Sequence, residues 1–207
     1  AAGVANESIE RSLAKGAGTY QDGEASLEEI RYEGYGAGGI AILVEALTDN
    51  RNRTVAYLRT AFTKNGGSLG ETGCVSWMFE QKGVVIVTDV NEEKLLEASI
   101  EGEADSYQMY DEQDSAEVLT EVANLENLNQ TLQKYDFLIE EIELRWIPNN
   151  TLEVTDPEQG RSLIKLLETL ESLDDVQKVT ANFELSEELA ISYKLVNQQR
   201  SLSSIKT

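Results

Sequence analysis

The stretch Gly34-Tyr35-Gly36-Ala37-Gly38-Gly39-Ile40-Ala41-Ile42-Leu43-Val44 decides the fold. It contains a literal G-x-G-x-x-G, the spacing of a dinucleotide-binding turn. That turn works only when a helix starts directly after it and sets its N-terminus on the pyrophosphate. Here the glycines run instead into five apolar residues with the composition of a central strand. They are therefore read as a turn between two strands. The first covers residues 27–35, with Leu27, Ile30 and Tyr32 as its apolar positions, and the second covers 40–47.

Outward from this hairpin, residues 51–64 read as a helix with Val55, Leu58 and Phe62 on one face, stopped by Asn65-Gly66-Gly67. Residues 74–79 and 84–88 read as a second hairpin around Gln81-Lys82-Gly83, giving the order ββαββ. A helix over 91–100, strands over 106–110 and 116–122, a helix over 125–135 and a strand over 140–147 follow, in the order αββαβ. Ile142, Leu144 and Trp146 share one face of the last strand. Pro148 marks a break. A short strand over 151–155, a helix over 157–173 with proline in its first turn and a strand over 176–185 close the pattern. The tail from Ser186 is polar and expected to be ordered in part at most. Upstream, residues 6–15 read as a helix capped by Asn6 and ended by Gly16-Ala17-Gly18, and 19–26 as a polar linker. The class is α+β, with antiparallel sheets and helices on one face, of the ferredoxin-like kind.

Composition narrows the function. The 207 residues are 41% apolar and 27% charged, enough for one large or two small domains with real cores. No apolar run approaches the roughly 20 residues that span a bilayer. The start shows neither a basic n-region nor an apolar h-region. With the single cysteine, Cys74, this predicts a protein of a reducing, cytoplasmic compartment that does not enter a membrane. The chain opens at Ala1 without methionine and close to a helix, so further residues are expected before it. Histidine is absent, which removes the commonest general base, histidine-based triads and histidine metal sites.

The net charge of −21 opposes binding to a polyanion on average, but it is unevenly spread. From Asn50 to Gly70 there is no acidic residue, while Arg51, Arg53, Arg59 and Lys64 lie there. From Asn91 to Leu128 there are twelve acids against Lys94 alone. On the helix, Arg53, Tyr57 and Lys64 fall on one face. A helix N-terminus carrying Arg51 and Arg53 suits an anion, because free N–H groups and guanidinium forks point the same way. The bland alternative is a solvated face whose arginines pair with nearby carboxylates.

Other motifs carry less. Cys74 lies in a strand pattern without a histidine to activate it and reads as a small buried apolar residue. The acidic middle lacks the spacing of a calcium loop, so no metal or cofactor is expected. Trp77 and Trp146 read as strand residues packed in the core or at an edge.

Three blocks carry a resemblance: Glu29-Ile30-Arg31-Tyr32-Glu33-Gly34-Tyr35-Gly36, Leu47-Thr48-Asp49-Asn50-Arg51-Asn52-Arg53-Thr54 and Asn65-Gly66-Gly67-Ser68-Leu69-Gly70. Together with Trp146-Ile147-Pro148-Asn149-Asn150-Thr151 and Leu173-Asp174-Asp175-Val176-Gln177-Lys178-Val179, they make the chain resemble the YebC/PmpR family of probable transcriptional regulators. That family includes the mitochondrial translational activator of cytochrome c oxidase subunit I. The resemblance implies a basic N-terminal helical domain, here reduced to a remnant and linker over 1–26. It implies an α/β domain over 27–90 plus 149–185, an acidic ferredoxin-like insertion over 91–148 and a tail over 186–207. The Lys- and Arg-rich stretch that opens family members, Gly-His-Ser-Lys-Trp, is not in this chain, which explains part of the negative charge.

The function implied is a non-enzymatic, cytoplasmic regulator of transcription that binds DNA, or alternatively a translation factor that meets ribosomal RNA on the ribosome. Within this chain Arg51, Arg53, Arg59 and Lys64 are the expected phosphate contacts, with Arg11 and Lys15 as remnants of the basic first domain. The acidic insertion is the expected face for a protein partner.

Overall fold

The computed structural model describes residues 26–110 and 114–194. Arg11, Lys15, the helix expected over 6–15 and the last part of the tail lie outside the described residues. Among the described residues two compact units emerge, one formed by residues 80–147 and the other by residues 26–79 together with 148–194.

The discontinuous unit is a four-stranded antiparallel sheet with two helices on one face. Its first strands are β1 (Glu28–Gly36) and β2 (Ile40–Thr48), antiparallel, with Tyr32 opposite Val44 and Gly36 opposite Ile40. The glycine motif forms a single 3-10 turn, Ala37–Gly39, that leads straight into β2. No helix follows it, as the apolar run after the glycines required. Two of the glycines serve packing. A Cβ on Gly34 would sit 2.7 Å from the Phe62 ring, and one on Gly36 2.6 Å from Leu163. Their absence lets both helices lie directly on β1.

Helix α1 (Arg51–Lys64) starts where Asn50 accepts a hydrogen bond from the Arg53 N–H and ends at Asn65, with Gly66 at φ +75°. It buries Thr54, Leu58, Ala61 and Phe62, so Leu58 and Phe62 face the core as expected while Thr54 is buried in place of the half-buried Val55. The two-residue β3 (Ser68–Leu69) then pairs with β1. After the second unit the chain returns as β8 (Leu152–Val154), α4 (Pro157–Glu171) and β9 (Val176–Ala181), which flanks β2. Ile40, Ile42 and Val44 meet Leu58, Phe62, Leu163, Leu166 and Leu170 in one apolar core. The strand expected over 176–185 is in fact two. At Asn182 the backbone leaves β2, with the Asn182 side chain accepting from Ala41 N–H at 2.8 Å, and β10 (Phe183–Leu185) pairs in parallel with β8. Residues 187–194 are helical, and Leu189 packs on the same core.

The continuous unit is βαββαβ: β4 (Phe79–Thr88), α2 (Glu92–Glu101), β5 (Ser106–Tyr110), β6 (Ser115–Glu121), α3 (Leu125–Lys134) and β7 (Leu138–Pro148). Its sheet order, β5-β6-β4-β7, is the ferredoxin-like arrangement. Val85, Val87, Ala116 and Val118 face Leu95, Leu128 and Leu132 of the two helices. The expected hairpin around Gln81-Lys82-Gly83 is absent. One ten-residue strand runs through it, because β6 pairs along Lys82–Thr88. Gly83 marks close packing rather than a turn, since a Cβ there would lie 2.9 Å from Leu125. Consequently β4 belongs to this unit, and the boundary falls at Phe79/Glu80 rather than at the expected Val90.

Candidate nucleic-acid interface

The N-terminus of α1 draws an anion, but the anion is the protein's own. Asp175, in the turn between α4 and β9, accepts from Arg53 Nη2 at 2.8 Å and Nε at 3.3 Å, and from the Thr54 hydroxyl at 2.9 Å. Arg53 Nη2 also reaches Asp49 at 2.9 Å. The Asp175 carboxyl is held below its usual range by the Arg53 guanidinium first, against the opposing effect of burial, and by the Thr54 hydroxyl. Arg53 therefore fastens the β9 turn to the helix. Its fork is committed internally, contrary to the expectation that it meets a ligand phosphate.

Arg51 differs. Its one ion pair among the described residues, to Glu28 at 2.6 Å, joins two side chains that are 68% and 49% exposed. Such a pair contributes about 0–1 kcal/mol and exchanges readily for another anion. Arg59 and Lys64 are exposed and form no ion pair among the described residues. They are five residues apart, which places them about 140° apart around the helix. Lys64 lines up with Tyr57, whose ring is exposed, whereas Arg59 points from the opposite rim. The expected four-cation stripe thus reduces to three accessible cations spread around the outer surface of α1.

Below the other face of the sheet lies a feature the sequence did not single out. Glu33 is 2% exposed. It stands opposite Leu43 in β2, on the face away from the helices. Its carboxylate accepts three backbone hydrogen bonds, from Gly73, Val75 and Ser76, each at 2.8 Å. Burial raises the Glu33 pKa, but the three N–H donors and the nearby Arg31 charge outweigh it, and the net shift is downward. The segment expected as a strand over 74–79 is thereby held as a loop ending in a 3-10 turn, Ser76–Met78. Cys74 is half-buried in that loop, and burial, then the Glu33 charge, push its thiol upward. Trp77, expected in a strand core or edge, is 70% exposed.

Two further features bear on chemistry. A groove of about 660 Å³ between α4 and residues 187–194 is lined by Ile164, Leu185 and Leu189, with Arg161 and Lys165 on one wall. Among the described residues no group of three or more metal-ligating side chains comes together. No helix of the described residues is long and apolar enough to cross a membrane.

Comparison with known proteins agrees with this architecture. The family model for the TACO1/YebC second and third domain matches residues 27–183. A probable transcriptional regulatory protein of Gloeothece citriformis is 69% identical over 192 residues, covering 91% of this chain and 75% of that protein. One of Nostoc sp. is 67% identical over 195 residues, covering 93% and 77%. The crystal structure of a conserved hypothetical protein from Aquifex aeolicus superposes with a TM-score of 0.74 at 45% identity, covering 87% of this chain and 74% of that one. With a discontinuous α/β unit, a ferredoxin-like insertion and these relatives, the chain belongs to the TACO1/YebC family.

Proposed function

We propose that this chain acts by binding, as the DNA-contacting part of a non-enzymatic transcriptional regulator in the cytoplasm. The observation that carries the reading is that Arg59 and Lys64 on α1 are exposed and form no ion pair among the described residues, within a stretch free of acids in a chain of net charge −21. Cations this scarce are readily neutralised internally, as Arg53 is. Those left in solvent are available to a phosphate chain, with Arg51 as a third that can exchange Glu28 for a phosphate. Contacts of this kind fix position and register rather than sequence, so ribosomal RNA presents the same chemistry as DNA. The relatives' names favour transcription. The acidic unit, with eighteen acids against four bases over 80–147, repels nucleic acid and suits a cationic protein partner.

Salt titration tests the site. Log K for DNA is expected to fall linearly with log salt, and R59A/K64A to flatten that slope by about two. A parallel titration with ribosomal RNA shows which polyanion binds more tightly. An unchanged slope in the double variant refutes the α1 site.

A further inference from the structure

We propose that Trp77 is a stacking platform for an unpaired nucleobase; the proposal rests on the nucleic-acid reading above and adds a second site to it. The indole is among the most exposed large apolar side chains of the described residues, yet its position is firmly fixed. Its Nε1–H donates to the Cys74 carbonyl at 3.1 Å, and the same carbonyl accepts from the Tyr35 hydroxyl at 3.2 Å. Cys74 itself sits between Gly73 and Val75, whose N–H groups are held by the buried Glu33 carboxylate. On the other flank, Asn149 N–H donates to the Met78 carbonyl at 2.9 Å. Gly70 N–H donates to the Glu33 carbonyl at 2.8 Å, and Val75 is fully buried beneath the loop.

The loop therefore presents a ring in one orientation with its polar edge already satisfied. What remains is a flat π-face, which asks a ligand for stacking and for no hydrogen bond. The surroundings decide between partners. Glu71, Thr72 and Gly73 are exposed in the same loop and carry no apolar side chain, and Trp77 is the only exposed large hydrophobic among residues 58–95. A protein interface of ordinary size buries roughly 800 Å² on each side, with its anchor ringed by further packed residues. One isolated ring is too small for that and the right size for a base. Every base has a π-face, so stacking of this kind tolerates any sequence. It also requires the base to be unpaired, whereas phosphate contacts at α1 do not.

The test uses the 207-residue chain with Trp146→Phe, so that Trp77 is the sole tryptophan emitter, titrated with a 15-nucleotide oligo-dT, the matching oligo-U and a DNA duplex. Both single strands are expected to quench Trp77 emission, and the duplex to bind without quenching. Trp77→Ala is expected to weaken single-strand binding about tenfold, while Trp77→Phe, which keeps a π-face, stays within a few-fold of the parent. Single-strand binding that leaves the emission unquenched and is unaffected by Trp77→Ala overturns the platform alone, and the exposed indole then belongs to a protein contact. Absence of any binding by the parent chain overturns the nucleic-acid reading as well. Quenching that persists in R59A/K64A at saturation supports two separate sites.

Discussion

The two units handle their few cations in opposite ways. In the ferredoxin-like unit, Lys82 is surrounded by Glu80, Asp105 and Glu121, Arg145 by Glu117 and Glu143, and Lys94 lies 5.5 Å above the Phe137 ring. Of its four cations only Lys134, at the end of α3, is unengaged among the described residues. In the discontinuous unit, Arg59, Lys64, Arg161 and Lys165 stand in solvent without an ion pair among the described residues, although acids outnumber bases there too. The carboxylates differ in the same sense. Those of the ferredoxin-like unit are mostly solvated on its surface, whereas Glu33 and Asp175 are internal fasteners. A protein can thus be anionic overall and still offer cations, where the fold holds them out of reach of its own carboxylates.

The largest expected effect concerns Glu33. Glu33→Gln replaces an acceptor-only carboxylate with a group that turns an NH₂ toward backbone donors. It is expected to cost about 3 kcal/mol, since buried N–H groups lose a charged acceptor. Urea unfolding measures this, and a loss below about 1 kcal/mol would show the loop to be held by Val75 and not by the carboxylate. The pH dependence has a definite sign. A carboxyl whose pKa is lowered in the folded state contributes stability that is present above its unfolded value, ordinarily near 4.5 for glutamate, and lost as pH falls through the folded value. Stability of the parent chain is expected to fall below about that pH more steeply than that of Glu33→Gln. Parallel curves would show that Glu33 does not carry the effect.

Next in size is Arg53. Its removal leaves Asp175, with only 14% of its side chain exposed, without its main partner. Arg53→Ala is expected to destabilise by about 1–2 kcal/mol, more than an exposed pair contributes. Nucleic-acid affinity at equal folded fraction is expected to change little. If Arg53→Ala instead leaves stability intact and flattens the salt slope, its guanidinium reaches phosphate after all, and the contrast between fastened and free cations breaks at its most informative residue.

Much of this was legible, and what was hidden has a common cause. Helix α1 was readable to its ends because its signals are local: Asn50 caps it and Asn65-Gly66-Gly67 ends it. The ferredoxin-like strands were readable because apolar residues alternate toward one covered face, as Ala116 and Val118 do. The loop over 70–78 was not, since Cys74-Val75-Ser76-Trp77-Met78-Phe79 has the composition of a strand and its true partner, Glu33, lies some 40 residues earlier. Gly83 looked like a turn because sequence cannot tell a glycine needed for φ from one needed for space beside Leu125. The cations show the same limit. Arg53 has a local partner in Asp49, four residues back, but its main fastening is to Asp175, 122 residues beyond it, and nothing of that kind reaches Arg59 among the described residues. Pairing over such distances is a property of topology, invisible to spacing.

The smallest effect is also the cleanest check on the acidic unit. Glu93 and Glu97 stand exposed on α2 and form no ion pair among the described residues. Glu93→Gln with Glu97→Gln is expected to change stability by no more than about 0.5 kcal/mol, because the first-turn charge lost at Glu93 is offset by removing its i,i+4 repulsion from Glu97. If the unit acts on nucleic acid only through its long-range field, the pair should raise affinity slightly at low salt and not at all at high salt, where charges more than about 10 Å apart are screened. A gain that survives high salt would place α2 in direct contact with the polyanion. The division of labour between an anionic unit and a cation-bearing one would then have to be redrawn around that helix.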